Sequence, residues 1–319
     1  MKISVLINSY NYGRYLPDAI ESVLGQSRQV DEVIVVDDGS TDETDEQVRV
    51  LYEGHPRVQW IRQENGGQLA AFQCGVLASA GDWLLFLDAD DCYHKNHVEL
   101  MEEYFIAHPS ADVLMGGLQQ VEQMPSECEV LSTDVRIFEH GIGLIRELYC
   151  PEHFVSETST LAIKGPILKR LFPFDRDVLE RWRIRADDCL CVGARLLAAN
   201  THEYRVESVY YRTHGKNGYL NTKLSKRDVL LHSYKLDQFR ELLVKREDLC
   251  REQLRRYAKD ERRLIPKPTM VMLEQYKWIL RHSGKRFKRS FVSRQCNSVR
   301  KRWRSLGEKI GFKNITKKR

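Results

Sequence analysis

The sequence predicts an α/β protein whose strands form a mostly parallel sheet. Three observations carry that prediction. Short apolar runs recur at residues 3–7 (ISVLI), 32–36 (EVIVV) and 83–87 (WLLFL), the pattern of strands buried on both faces. Segments with apolar residues at helical spacing lie between them, giving the βα alternation of a parallel sheet. Each run then ends in a polar cluster: Asn8 to Tyr10, Asp37–Asp38, and Asp88 with Asp90 and Asp91. Open α/β sheets bind ligands outside the carboxyl ends of their strands, so three polar clusters along one edge point to a pocket there.

Composition bounds the rest. With 319 residues, 42% hydrophobic and 30% charged, the chain can bury the core of one large or two smaller domains. It has no run of about 18 apolar residues, so no spanning helix is expected. Met1, Lys2 and Ile3 enter a strand at once, without a signal-peptide pattern, and export is not expected. The eight cysteines include no CxxC pair and read as reduced thiols in a cytosolic setting. The net charge of +5 conceals an asymmetry. From Glu261 onward 19 Lys and Arg face 3 Asp and Glu, a net +16, which leaves −11 for the preceding residues. An acidic body with a basic tail suggests two tasks in two segments.

In order, a first strand at 3–7 leads to a helix near 17–24, where Pro17 suits the first turn and Gly25 the end. Strands follow at 32–36 and 58–61. The turn Asn65–Gly66–Gly67 opens a helix near 68–80. After the strand at 83–87 come a helix near 95–107 and a strand near 112–115. LQQVE and CEVLS read as edge strands, 142–149 as a short helix, and TSTLAI (158–163) as a strand. Asp187–Asp188 opens a helix through Leu190, Ala194, Leu197 and Ala198, and residues 206–211 form a strand. Residues 225–262 are helical, with an apolar stripe of Leu236, Phe239, Leu243, Cys250, Leu254 and Tyr257 that packs on the preceding domain or on a second copy of the chain. Pro266 and Pro268 break that helix, and another follows over 269–282.

Three carboxylates within four positions at the end of a buried strand repel one another unless a cation lies between them. Oxygen ligands with few other donors suit a hard divalent ion, Mg²⁺ or Mn²⁺, and such ions commonly bridge a substrate's phosphates. The bland alternative is an acidic, solvated turn.

The runs SVLINSYNYGRYLPDAIESVLGQS, DEVIVVDDGSTDET and QENGGQLAAFQCGVLASAGDWLLFLDADD resemble the family 2 glycosyltransferases of GT-A fold, over about the first 215 residues. The resemblance implies a Rossmann-like sheet flanked by helices and a nucleotide-sugar donor. It implies that Asn8, Tyr10 and Asp38 contact the nucleotide, that Asn65, Gly66 and Gly67 form the turn beneath it, and that Asn65, Gly66, Gln68 and Asp88 are among the nucleotide-sugar contacts. Asp88 and Asp90 match the family's DxD element, with Asp90 as metal ligand, joined by Asp91 and by His214. Arg212 and His214 lie in a segment similar to the family's YRxHxxN run, where Arg212 approaches the diphosphate. Asp187–Asp188 matches the acidic dyad whose second member, Asp188, takes the acceptor's proton. Many relatives carry an Arg after the Gly pair; this chain has Gln68, Ala70, Ala71, Phe72 and Gln73 there. His153, Glu157 and Thr158 are weaker candidates for acceptor contacts.

The division expected is a GT-A catalytic domain over 1–220 and a helical extension over 221–319. From about Lys285 the extension is basic and amphipathic: Phe287, Phe291, Val299, Trp303, Leu306 and Ile310 recur among Lys and Arg. Such a helix suits the plane of an anionic membrane. The function expected is an inverting, metal-dependent transfer from a nucleotide-diphosphate sugar, UDP-linked, to a hydroxyl of a lipid-linked or polysaccharide acceptor. The setting expected is cytoplasmic, peripheral on the inner face of the membrane, with a homo-oligomer open and no nucleic-acid partner. The alternative is an inactive GT-A-like module whose tail recruits a partner. A nucleotidyltransferase is disfavoured because no Gly-rich, Lys/Arg-bearing phosphate loop opens the chain.

Overall fold

A computed structural model describes residues 1–42, 44–125, 135–149, 156–215, 225–249 and 251–264. The expected strand CEVLS, the acceptor candidate His153 and everything from residue 265, including the basic tail, lie outside the described residues.

The elements run β1 (Ile3–Ser9), α1 (Leu16–Leu24), β2 (Glu32–Asp37), a π turn at Thr44–Val48, α2 (Arg49–Tyr52), β3 (Val58–Arg62), α3 (Gln68–Ala78), β4 (Trp83–Asp88), β5 (Cys92–Tyr93), α4 (His97–Ala107) and β6 (Val113–Val121). They continue with β7 (Arg136–Ile142), α5 (Leu144–Tyr149), a 3-10 turn at Thr158–Thr160, β8 (Leu161–Lys164), α6 (Gly165–Leu171), α7 (Arg176–Arg181), α8 (Asp187–Leu196), β9 (Asn200–Arg212), α9 (Lys226–Arg246) and α10 (Arg251–Leu264).

The described strands join in one sheet of order β3-β2-β1-β4-β8-β6-β9-β5, with β7 also paired to β9. β1 to β4 are parallel, as the βα alternation predicts. The second half is mixed: β8 runs antiparallel to β4 and β6, while β6 and β9 are parallel with a register break near Gly117.

Alternation along the central strands builds two cores. Leu6, Leu84 and Phe86 face one side with α3, α5, α6, α8, α9 and α10. Ile3, Val5, Ile7, Trp83, Leu85 and Leu87 face the other with α1 and α4. A strand buried on both faces needs apolar residues at every position, which is why these strands read as continuous apolar runs.

Several expectations change. Leu118 to Val121 belong to β6, an inner strand held between β8 and β9, not an edge. Residues 158–160 form a 3-10 turn before the strand starts at Leu161. The helix expected over 225–262 is two helices, broken near Asp248, whose φ is 46°. Leu236, Phe239, Leu243 and Leu254 are buried in the same core as the central sheet, so α9 and α10 share the core of the preceding residues. Glu261 of α10 anchors this docking by accepting the Ile145 N–H (2.8 Å) and pairing with Arg146 (3.1 Å), all buried.

α3 lies so close to β1 that Gly75 has no room for a side chain: a Cβ there would meet Leu6 Cδ2 at 2.8 Å and collide with its Cδ1. Gly75→Ala should therefore lower stability by about 1–3 kcal/mol through overpacking. Equilibrium urea unfolding measures this, and an unchanged midpoint would contradict the close approach.

Candidate active site

β4 delivers the acidic cluster to the carboxyl edge of the sheet. Asp88 ends the strand, level with Asn8 of β1, and Asp90 and Asp91 follow in the turn to β5. The three carboxylates differ in setting. Asp91 is 1% exposed and both its oxygens are engaged. Ser159 Oγ donates to Oδ2 (2.6 Å) and the Arg212 N–H to Oδ1 (3.0 Å). Burial, and then the charge of Asp90, pushes its carboxyl up to about 8. Asp88 is pushed well above the usual carboxylate range by burial and then by Asp90, Asp91 and Asp187. Asp90 has one oxygen 3.0 Å from His214 Nε2. The field of the cluster reaches further: Tyr12 is pushed up to about 12 by burial and then by Asp90 and Asp88.

Asp91, expected among the metal ligands, has both oxygens given to protein donors. It is a buried strut between the Thr158–Thr160 turn and β9. Asp90 and His214 remain the pair able to reach a cation. Among the described residues no three His, Cys, Asp or Glu side chains converge as a ready-made ligand set. A Mg²⁺-type ion needs only one or two carboxylates when substrate phosphates complete its shell. The donor set present therefore fits a divalent ion held jointly with a diphosphate.

Arg212 also differs from expectation. Its Nε donates to the Asp90 carbonyl (2.9 Å), its Nη2 to Asp18 (2.6 Å), and its guanidinium lies 4.9 Å over the Tyr15 ring. His214 stacks on the same ring at 4.8 Å. Arg212 thus braces the Asp90 turn against the start of α1.

On the side of β1 and β2, the Asn8 Oδ1 is buried without a hydrogen-bond partner, and Tyr10 is exposed. Asp38, expected to face a nucleotide, is committed to the loop beside it. Its carboxylate accepts the N–H groups of Gly66 (2.8 Å) and Gly67 (2.7 Å) and Gln63 Nε2 (2.7 Å). Asn65 is held by Arg183, whose guanidinium donates to its side-chain oxygen. Gly67 adopts φ 87°, and a Cβ there would collide with the Arg183 backbone. Gln68 Oε1 accepts the Ala186 N–H (2.9 Å), tying the head of α3 to the head of α8.

α8 brings the second acidic pair. Asp188 is 2% exposed, and its Oδ2 lies 3.1 Å from Arg185 Nη2 and 2.8 Å from His232 Nε2 of α9. Asp187 has a buried Oδ1 without a hydrogen-bond partner. Burial, and then the Asp188 charge, pushes its carboxyl up to about 7. The Asp187 charge in turn acts on Asp88, so the two clusters lie within electrostatic reach of one another.

Sequence reasoning missed Ser159, Tyr15, Arg185 and His232. Ser159 was hidden in a Thr-rich run that reads as a strand. Tyr15 and His232 carry no local signal, since their partners lie far away in the chain. Asp187 was visible, but as the companion of Asp188.

A Rossmann-like sheet with two neighbouring carboxylate clusters at its carboxyl edge defines a GT-A-type fold and site. The glycosyl transferase family 2 model matches residues 4–165, and the chain belongs to that family. An uncharacterized glycosyltransferase of Nostoc sp. is 34% identical over 229 residues, covering 69% of this chain and 67% of that protein. Glycosyltransferase GlyG of Streptococcus pneumoniae is 34% identical over 122 residues, covering 38% of this chain and 40% of its own length. Among solved structures, S. aureus TarS 1-349 in complex with UDP-GlcNAc aligns with a TM-score of 0.53 at 20% identity, over 86% of this chain and 78% of that one, a likeness of fold.

The Asp91 carboxyl ordinarily titrates near 3.8 and here near 8, so the folded state holds its proton more tightly than the unfolded chain. Its contribution is present at low pH and lost as pH rises through that window. Buried histidines such as His97, lowered to about 3 by burial, act in the opposite sense only below about 6.5. Between pH 6.5 and 8 the wild type should therefore lose stability with rising pH, at up to about 1.4 kcal/mol per unit from Asp91. Asp91→Asn should flatten that slope. Unfolding midpoints at several pH values check it, and equal slopes in the two proteins would contradict the buried setting of Asp91.

Proposed function

We propose that this protein transfers a glycosyl group from a nucleotide-diphosphate sugar, UDP-linked, to an acceptor hydroxyl with inversion at the sugar carbon. The observation that carries this reading is the nearness of the two carboxylate clusters, Asp88–Asp90 at the end of β4 and Asp187–Asp188 at the head of α8. The clusters suit different tasks. Asp90, with His214 beside it, would hold Mn²⁺ or Mg²⁺ against the donor's diphosphate. A divalent ion there would neutralise the departing diphosphate. The protein's own residues do the rest. Asn8, with its unpartnered oxygen, and Tyr10 line the side on which the base and ribose would lie. Asp38 and Gly67 fix the loop beneath them. Asp188 of α8 accepts the acceptor's proton as its oxygen attacks the sugar carbon.

The acceptor proposed is lipid-linked or a saccharide, in the making of a surface polysaccharide, with the protein cytoplasmic and peripheral on the inner face of the membrane. The support for the membrane part is the charge pattern of residues 285–319 alone. Among the described residues no helix is long and apolar enough to cross a membrane.

Thermal unfolding with a panel of sugar nucleotides, with and without Mn²⁺, tests the class. One donor should stabilise the folded protein in a manganese-dependent way, by ~2.7 kcal/mol at a concentration 100 times its Kd, and so raise the unfolding temperature. Asp90→Ala should abolish the manganese dependence. No response to any nucleotide would favour a non-catalytic module.

A further inference from the structure

α8, which carries the second acidic pair, is held by α9 at both of its ends. At its head, the buried Asp188 Oδ2 lies 3.1 Å from Arg185 Nη2 and 2.8 Å from His232 Nε2. The His232 contact is close but off the hydrogen-bond axis, so it acts as an electrostatic contact. The His232 ring sits edge-on against Trp182 at 5.6 Å, and Trp182 packs in turn on Phe239 of α9 at 6.0 Å. Lys235 donates to the Arg181 carbonyl (3.3 Å), so α9 also grips the segment that leads into α8. At the tail of α8, the buried Glu147 of α5 joins Arg195 of α8 (3.2 Å) to Arg240 of α9 (2.7 Å). Asp188 and Arg195 are seven residues apart, about 10 Å of helix, and His232 and Arg240 are eight apart, about 12 Å. The two helices therefore run side by side in the same direction, with matched spacing between the contacts at either end.

We propose that His232 is a positioning residue for the transfer: through its contact with Asp188 Oδ2, α9 fixes the direction of the carboxylate that takes the acceptor's proton. This rests on the reading of the site as one for glycosyl transfer with Asp188 as base. In that step the acceptor oxygen forms a bond to the sugar carbon while the bond from that carbon to the diphosphate oxygen breaks. The electron pair leaves with the diphosphate, and the acceptor's proton passes to Asp188. The last torsion of an Asp side chain is broad, so what touches the carboxylate decides where it points. A proton is taken efficiently only along a well-aimed lone pair. Of the two groups that touch Oδ2, Arg185 is a long side chain on the loop ahead of the helix, 28% exposed. His232 is a short, flat ring, 15% exposed, backed by Trp182 and carried on a helix whose Leu236, Phe239 and Leu243 are buried. The more rigid of the two is thus His232.

His232 lies outside residues 4–165, the span of the family match, yet it reaches the acidic pair of α8. α9 is then part of the active site's frame, although its role is to hold the base rather than to meet the substrate.

The test compares His232→Ala, His232→Leu and His232→Gln in the full-length protein. Leu fills the space against Trp182 without a donor, whereas the Gln amide nitrogen can still donate to Asp188. Release of UDP is followed with Mn²⁺, the UDP-sugar that most stabilises the wild type, and water as acceptor. His232→Ala and His232→Leu should each lower kcat about tenfold or more, with donor KM and the manganese-dependent thermal shift unchanged. His232→Gln should recover most of that loss. Equal rates for the Leu and Gln variants would leave His232 a packing role alone and overturn the proposal. So would a loss confined to donor KM, or wild-type kcat in both His232→Ala and His232→Leu. A double-mutant cycle reads the contact without any donor. In equilibrium urea unfolding, Asp188→Asn and His232→Leu together should shift the midpoint by less than the sum of their separate shifts. Additive shifts would show that His232 does not hold Asp188 and would overturn the proposal whatever the kinetics. A wild type that releases no UDP from any UDP-sugar, with a non-additive cycle, would instead sink the functional reading and leave the hold on Asp188 standing.

Discussion

Negative charge at the carboxyl edge of the sheet is the constraint on which the site depends. Asp88, Asp91 and Asp187 are all pushed upward, chiefly by burial and next by one another, and Asp90 stands among them. Removing carboxylates from water is costly unless donors or cations replace it. The surrounding structure answers that cost in parts. Ser159 and the Arg212 N–H serve Asp91, and Arg185 with His232 serves Asp188. Asp38 is served by the Gly66–Gly67 loop. At this edge Asn8 Oδ1, Asp187 Oδ1 and Asp188 Oδ2 are buried without a hydrogen-bond partner, and these oxygens can serve a substrate.

The parallel half of the fold was legible because strands buried on both faces must be apolar at every position. β1, β2 and β4 start and stop within about two residues of the apolar runs that announce them. The mixed half was less legible. β6 carries Gly116, Gly117, Gln119 and Gln120 and so looks like an edge, although β8 and β9 flank it. Thr158 to Thr160 have strand propensity, but a local hydroxyl network overrides it: Thr160 Oγ1 donates to the Glu157 carbonyl, and Ser159 serves Asp91.

Spacing placed the site residues at the right edge but could not say which way each carboxylate turns. Asp90 and Asp91 are neighbours, yet one stands beside His214 and the other is sealed beneath Ser159 and Arg212. Asp187 and Asp188 are separated by one helical step, which sends one to the sheet edge and the other to α9. Such differences arise from contacts over more than 40 positions of the chain, as between Asp188 and His232, and no local pattern encodes them. The docking of α9 and α10, in contrast, was foreshadowed by the stripe through Leu236, Phe239, Leu243 and Leu254, all of which are buried.

The central claim is that Asp90, and not Asp91, meets a divalent ion at this edge. Anomalous scattering from crystals grown with Mn²⁺ and the nucleoside diphosphate of the stabilising donor measures it directly. The account predicts a manganese peak in contact with the Asp90 carboxylate, on the side of His214, with the Asp91 oxygens still bound to Ser159 and Arg212. A peak coordinated by Asp91, or one away from the end of β4, would contradict it.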